Sequence, residues 1–151
     1  MIRDVQLKPL TAHADERGYL MEILRTDDEI FEGFGQCYVA KNYPGVVRAW
    51  HYHRLQTDYF VCVHGMIKVA LYDLREDSST RGEVNEFFLG EDHRVVLKIP
   101  VGVYHGYKTV GTEPSLLLNF PTRPYNPQEP DEYREPYNSP EIPYSWEIKI
   151  R

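Results

Sequence analysis

The sequence predicts an all-β domain, a sandwich or barrel of short strands, and three observations carry that prediction. Apolar runs of β-type composition recur along the chain, glycines punctuate them at short intervals, and only one segment could form a helix. The runs are 18–24, 35–43, 59–65, 66–74, 83–89, 94–100 and 115–120. In the fourth, Ile67, Val69 and Leu71 fall on one face and Lys68, Ala70 and Tyr72 on the other, the alternation of a strand. Residues Val61 to Met66 read as two strands joined at Gly65, and Gly45, Gly82, Gly90 and Gly111 mark further turns. The helical candidate, Asp27 to Glu32, spans one or two turns.

Length and composition narrow the class. At 151 residues, 42% hydrophobic and 26% charged, the chain suits a single domain (1–151) with a proper core. A net charge of −6 leaves no basic footprint for nucleic acid, so an anionic ligand must be held by a few local cations. No stretch approaches the roughly 20 apolar residues of a membrane span, and the opening MIRDVQLKPL has no apolar leader-like region. A cytoplasmic protein is expected. Cys37 and Cys62 both lie in apolar runs and are expected as buried free thiols. Core strands are expected over about 17–120, with the remainder different in character. Seven of the eleven prolines fall within 121–143, beside Tyr125, Tyr133, Tyr137, Tyr144 and Trp146. Proline cannot donate to a ladder, and disordered segments are poor in aromatics. An extended arm (121–151) lying across the barrel and rimming its mouth is therefore expected.

Two segments concentrate the chemistry. The first runs Gly45-Val46-Val47-Arg48-Ala49-Trp50-His51-Tyr52-His53 and on through Asp58 to Gly65. Histidines at i and i+2 of a strand share a face, so His51 and His53 enter the barrel together or leave it together. The second, Ile99-Pro100-Val101-Gly102-Val103-Tyr104-His105-Gly106-Tyr107, ends a strand in a tight turn and presents a third histidine. In this spacing and order the two resemble the paired motifs of the cupin superfamily, with Asp58 where glutamate is usual. That resemblance implies a double-stranded β-helix, or jelly roll. Two chemistries are open to such a pocket. Three imidazoles and a carboxylate suit a divalent transition metal, with His51, His53, Asp58 and His105 as ligands. Alternatively His51 is a metal-free general base, since an imidazole titrates near neutrality.

Segments flanking these motifs resemble the dTDP-4-dehydrorhamnose 3,5-epimerase family in family order. They are Asp15 to Glu22; Gln36 ahead of Gly45 to Tyr52; Asp73-Leu74-Arg75 with Ser78 to Gly82; Ile99 to Tyr107; and Thr122 with Tyr125-Asn126-Pro127. The resemblance implies an isomerase that inverts sugar carbons beside the ketone of a dTDP-4-keto-6-deoxyhexose, without a cofactor. It places His51 as base and Tyr125 as acid on the opposite ring face. It gives Arg17, Glu22, Gln36, Arg48, His53 and His105 contact with the nucleotide sugar. A homodimer is also implied, in which the N-terminal segment helps form the partner's site.

Three positions depart from the family pattern. His53 stands where the family has glutamine, and the family's enolate-stabilising lysine has no counterpart, with Asp58 lying near its place. Asn138-Ser139-Pro140 replaces the Asp-Pro pair whose carboxylate orients the base. These departures keep two alternatives in play: a metal-dependent cupin enzyme, and a non-catalytic sugar-binding cupin.

Overall fold

A computed structural model describes residues 1–149, so the last two residues of the expected arm and domain lie outside the described residues. Twelve strands build it in chain order: β1 (Gln6–Pro9), β2 (Ala12–Asp15), β3 (Gly18–Met21), β4 (Tyr38–Asn42), β5 (Val47–Tyr52), β6 (Asp58–His64), β7 (Met66–Asp73), β8 (Val84–Gly90), β9 (Val95–Ile99), β10 (Val103–Val110), β11 (Ser115–Asn119) and β12 (Tyr133–Arg134). They form two antiparallel five-stranded sheets, β1-β9-β6-β11-β4 and β12-β5-β10-β7-β8, with β2 and β3 as a separate hairpin. All of the expected runs contain strands. Sheet structure begins earlier than residue 17, however, because β1 pairs along β9 from Gln6↔Lys98 to Pro9↔Val95.

The alternation read in β7 explains the layering. Ile67, Val69 and Leu71 point between the sheets, meeting Phe60, Cys62, Leu97, Ile99 and Leu117 from the other side. Ala70 and Tyr72 point outward, yet they too are buried, because the C-terminal arm covers them with Ile142 and Trp146. The outer face of the first sheet is covered as well: Ile30 sits on Tyr59, Val61 and Val96, with Ile23 and Leu24 beside it. Gly65 joins β6 and β7 at φ +68°, but the two strands belong to different sheets, so the turn is a corner between layers and not a hairpin. A Cβ there would lie 2.6 Å from the Pro114 carbonyl oxygen.

Two expectations are corrected. Residues 27–30 form turns and 31–32 are irregular, not a helix, because Tyr59 claims two of the segment's backbone groups and the Asp28 side chain folds back on Arg25. Tyr59 Oη donates to the Ile30 carbonyl at 2.9 Å and accepts from the Glu32 amide at 2.8 Å, while Asp28 Oδ2 accepts from the Arg25 amide at 2.7 Å. Cys37 is exposed, whereas Cys62 is buried as expected. Inward positions of β4 are Tyr38, Ala40 and Asn42, so the residue just before Tyr38 faces out.

The arm is ordered by its aromatic residues. Trp146 stands 5.0 Å from Trp50 and 4.9 Å from Tyr144 between ring centroids, and Lys108 and Lys68 donate to the carbonyls of Trp146 and Glu147. Trp146→Ala should lower stability by about 3 kcal/mol, read as a lower denaturant midpoint at unchanged slope. Trp146→Phe, which keeps a ring over Trp50, should lose much less.

Candidate functional site

The two sheets and the arm enclose a cavity of about 490 Å³, lined by His51, His53, Asp58, His105, Arg48 and Tyr38, and by arm residues from Arg123 to Arg134. Its walls follow from local strand geometry. His105 pairs with His51, but Tyr107 pairs with Arg48, so three residues of β5 span the interval that two of β10 span. This is a β-bulge. It turns Arg48 and His51, whose odd spacing would place them on opposite faces of a regular strand, into the same cavity. Gly106 makes the bulge possible, since a Cβ on it would stand 2.3 Å from Ala49 Cβ. His53 lies one residue past the end of β5 and enters the cavity too, so the HxH pair does share a face.

At the floor, Asp58 is 2% exposed and must be satisfied inside the protein. Its Oδ2 faces His53 Nε2 at 3.1 Å and His105 Nε2 at 3.4 Å, and its Oδ1 accepts from Gln56 Nε2 at 2.9 Å. Burial would raise the Asp58 pKa, but the two imidazoles outweigh it and hold the carboxyl well below its usual range. His53 is affected in the reverse sense: burial disfavours its charge, and the Asp58 carboxylate more than offsets this, raising its pKa. Its Nδ1 faces the Asp131 carbonyl. Asp131 in turn accepts from the amides of Arg54, Leu55 and Gln56 at 2.8, 2.9 and 3.1 Å. Thus His53 ties the arm to the floor.

His51 has a different environment. Its Nδ1 faces Glu132 Oε1 at 3.1 Å, and Glu132 also accepts from Arg134 Nη2 at 2.7 Å. Burial and the neighbouring His105 ring push the His51 pKa down to about 4, against the pull of Glu132. The imidazole is therefore neutral at pH 7, oriented through Nδ1, and leaves Nε2 to accept a proton.

The fit to a metal can be judged from the donors. His53, Asp58 and His105 bring one ligand atom each within 4.8 Å of one another, but His51 is not part of the group. Both ring nitrogens of His53 face oxygen acceptors, as do both of His105, whose Nδ1 meets the Val103 carbonyl at 3.1 Å. The four-ligand centre does not fit this arrangement.

Gln36 lines the cavity and accepts from the Tyr125 amide at 3.1 Å, and Tyr125 stands at the mouth, 57% exposed. Arg17 and Glu22 do not line it. Arg17 bonds Asp15 in the β2–β3 hairpin, and Glu22 pairs with Arg25 at 2.9 Å. The Asp73–Gly82 segment serves structure: Asp73 accepts from Arg75, Ser78 and Thr80, and Thr80 Oγ1 also accepts from the Arg3 amide. Sequence reasoning missed Glu132, Asp131, Arg123 and Tyr38. The acidic run Glu129-Pro130-Asp131-Glu132 was the available signal for the first two. Arg123 has no acidic partner within 4 Å among the described residues. Arg48 spends only Nε, donating to Asn42 at 2.6 Å, so its end-on fork of Nη1 and Nη2 is available to an anionic ligand.

The sequence matches the dTDP-4-dehydrorhamnose 3,5-epimerase family over residues 1–151. It is 44% identical over 151 residues to the spore coat polysaccharide biosynthesis protein SpsL of Bacillus subtilis, covering 100% of both chains. It is 48% identical over 151 residues to a probable low-salt glycan biosynthesis epimerase of Haloferax volcanii, covering 99% of this chain and 97% of that protein. Among solved structures, a dTDP sugar isomerase from Desulfovibrio desulfuricans superposes with a TM-score of 0.91 at 35% identity, covering 96% of this chain and 92% of that one.

The arrangement predicts an NMR titration. His51 ring protons should titrate well below 6.5, and Glu132→Gln, which removes the one group holding the pKa up, should move the midpoint lower still. A midpoint at or above 6.5 in the unsubstituted protein would contradict the geometry.

Proposed function

This chain belongs to the dTDP-4-dehydrorhamnose 3,5-epimerase family, and from that premise we propose how its own residues perform the reaction. The protein is a sugar epimerase, an isomerase acting next to the ketone of a dTDP-4-keto-6-deoxyhexose in polysaccharide or other glycan biosynthesis. The single observation that carries the residue-level reading is the imidazole of His51 projecting into the cavity with its Nδ1 held by Glu132. In this reading Nε2 of His51 removes the hydrogen α to the ketone. Enolate charge then collects on the ketone oxygen, where Arg48 and the positively polarised His53 ring supply the stabilising field. Arg48 and Arg123 hold the diphosphate, a role suited to planar forks. Gln36 sets the position of Tyr125, which closes the mouth over the sugar and offers a hydroxyl there.

The reaction needs neither metal nor redox cofactor, because proton removal and return at one carbon conserve electrons. The mutual hydrogen bonding of His53, Asp58 and His105 supports that reading. Incubation with dTDP-4-keto-6-deoxyglucose in D2O should place deuterium beside the ketone. His51→Ala should slow this by at least about 100-fold, while protein dialysed against EDTA keeps its rate. Loss of exchange on EDTA treatment, restored by a stoichiometric divalent ion, would instead establish the metal-dependent alternative. Absence of exchange with every 4-keto sugar nucleotide tried would leave only the sugar-binding one.

We also propose a homodimer in the cytoplasm. The β2–β3 hairpin pairs with neither sheet and exposes Tyr19 and Leu20, while Arg17 projects into solvent with its side chain 85% exposed. A partner barrel would give those groups a surface and Arg17 an anionic ligand. The exposed free thiol of Cys37 suits a reducing compartment. In a mixture of Arg17→Ala and His51→Ala proteins, refolded together, half of the dimers regain one intact site. Activity should return to about a quarter of the unsubstituted level, and a mixture no more active than its components would rule out sharing.

A further inference from the structure

The contact between Glu132 and His51 has to be held by the backbone beneath it, because Glu132 has a nearer partner of its own. Its Oε1 accepts from Nε and Nη2 of Arg134 at 2.9 and 2.7 Å, two residues along the same arm, and meets His51 Nδ1 at 3.1 Å. A loose arm would carry the Glu132–Arg134 pair away from His51 intact. The stretch that delivers Glu132 is open to solvent. Every residue from 123 to 130 is exposed, and among the described residues the hydrogen bonding of 126–130 is confined to the Gln128 amide on Asn126 Oδ1.

Asp131 is where this open stretch docks. Its Oδ1 accepts from the Arg54 amide at 2.8 Å, and its Oδ2 from the Leu55 and Gln56 amides at 2.9 and 3.1 Å. Both carboxylate oxygens are thus engaged by successive backbone N–H groups. The turn that offers those amides is itself anchored. Gln56 Nε2 donates to the buried Asp58 at 2.9 Å, and Thr57 makes two bonds with Thr122, each of 3.0 Å. On the far side of Glu132 the arm is held again. The Tyr133 ring stacks on Tyr52 with centroids 4.9 Å apart, and Trp50 and Glu135 exchange backbone bonds at 2.9 and 3.1 Å. Glu132 therefore lies between two anchors, and the upstream one is the Asp131 carboxylate.

We infer that Asp131 is a positioning residue for proton abstraction: by binding the 54–56 amides it fixes the backbone from which Glu132 reaches His51. The inference rests on the epimerase reading above. Asp131 acts through Glu132 and not on the substrate, since both of its oxygens are occupied. A shift of about 1 Å at Glu132 would take the His51 contact past hydrogen-bond range, and the imidazole would lose the group that orients it. Asp131→Asn has nearly the same shape, but it sets an NH2 group against at least one of the three amides. That undoes the clamp without emptying the site, and it keeps the Asp131 carbonyl that His53 faces.

The test asks whether Asp131 and Glu132 act as one unit. In D2O with dTDP-4-keto-6-deoxyglucose, Asp131→Asn should lower the saturated rate of α-hydrogen exchange by about 10-fold, with KM within a few-fold of the unsubstituted value. Glu132→Gln should lower that rate at least as far, and the double variant should be no slower than Glu132→Gln alone. In isotope-labelled protein, the NMR signal of the His51 Nδ1–H, sheltered by Glu132, should broaden or vanish in Asp131→Asn as it does in Glu132→Gln. Thermal melting checks that each variant folds. A measurement on the unsubstituted protein needs no variant: the amides of Arg54, Leu55 and Gln56 should exchange with solvent more slowly than those of Asn126 and Glu129. Losses that multiply in the double variant, an unchanged His51 signal in Asp131→Asn, or freely exchanging 54–56 amides would overturn the inference while leaving the epimerase assignment intact. No α-hydrogen exchange by the unsubstituted protein with any 4-keto sugar nucleotide tried would overturn both.

Discussion

A buried carboxylate organises this pocket. Asp58 sits at the first position of β6, almost without solvent, and an unpaired charge there would cost several kcal/mol. Its needs are met by His53, His105 and Gln56, and each of those bonds constrains something else. His105 is held against the floor between Asp58 and the Val103 carbonyl. Through its other nitrogen, His53 reaches the backbone of Asp131, and Asp131 gathers the three amides of the 54–56 turn. The residue after Asp131 is Glu132, whose carboxylate orients His51. A line of hydrogen bonds therefore runs from the floor, through the arm, to the proposed base.

The arm accordingly has two functions that its composition can serve together. Its proximal part, up to Arg134, walls the cavity and adds β12 to the edge of a sheet through Tyr133↔Tyr52 and Arg134↔His51. Its distal part covers the outer face of that sheet, where Trp50, Ala70 and Tyr72 would otherwise be wet. Prolines leave few amides needing partners and reduce the entropy lost on ordering, while the aromatic residues supply the buried area. Fixing the distal half therefore helps fix the register of β12, and with it Glu132.

Much of this was legible in the sequence, and the reasons differ by residue. The HxH and PxGxxH segments revealed His51, His53 and His105 because strand periodicity and turn geometry are local. Asp58 was legible as a pocket carboxylate for the same reason. Glu132 was not, since its contact with His51 spans 81 positions and comes from an irregular arm with no periodicity to read. The family pattern puts the base-orienting carboxylate at Asn138-Ser139-Pro140, where this chain has already turned to cover Trp50: the Tyr137 carbonyl accepts from Trp50 Nε1 at 3.3 Å. Arg48 lies in the cavity, and the bulge opposite Gly106 explains how it shares a face with His51. Arg17 and Glu22 were placed by resemblance, and in the single chain they lie outside the cavity.

His53 is the residue whose meaning the structure changes most. Spacing alone pairs it with His51 as two metal ligands, but the two rings face different carboxylates and behave oppositely: His51 is driven toward the neutral form and His53 toward the charged one. That divergence is what a proton-transfer site requires, with one imidazole free to accept and another balancing a fixed negative charge. Were position 53 a neutral amide, Asp58 would keep His105 and Gln56 as partners but lose its shortest contact to an imidazole, leaving more negative charge on the floor to oppose an anionic diphosphate and a developing enolate. With His53 the floor is close to neutral, and the positive charge of Arg48 and Arg123 remains available to the ligand. Asp58 and His53 thus form a compensated pair, with His105 as the second imidazole on the same carboxylate oxygen.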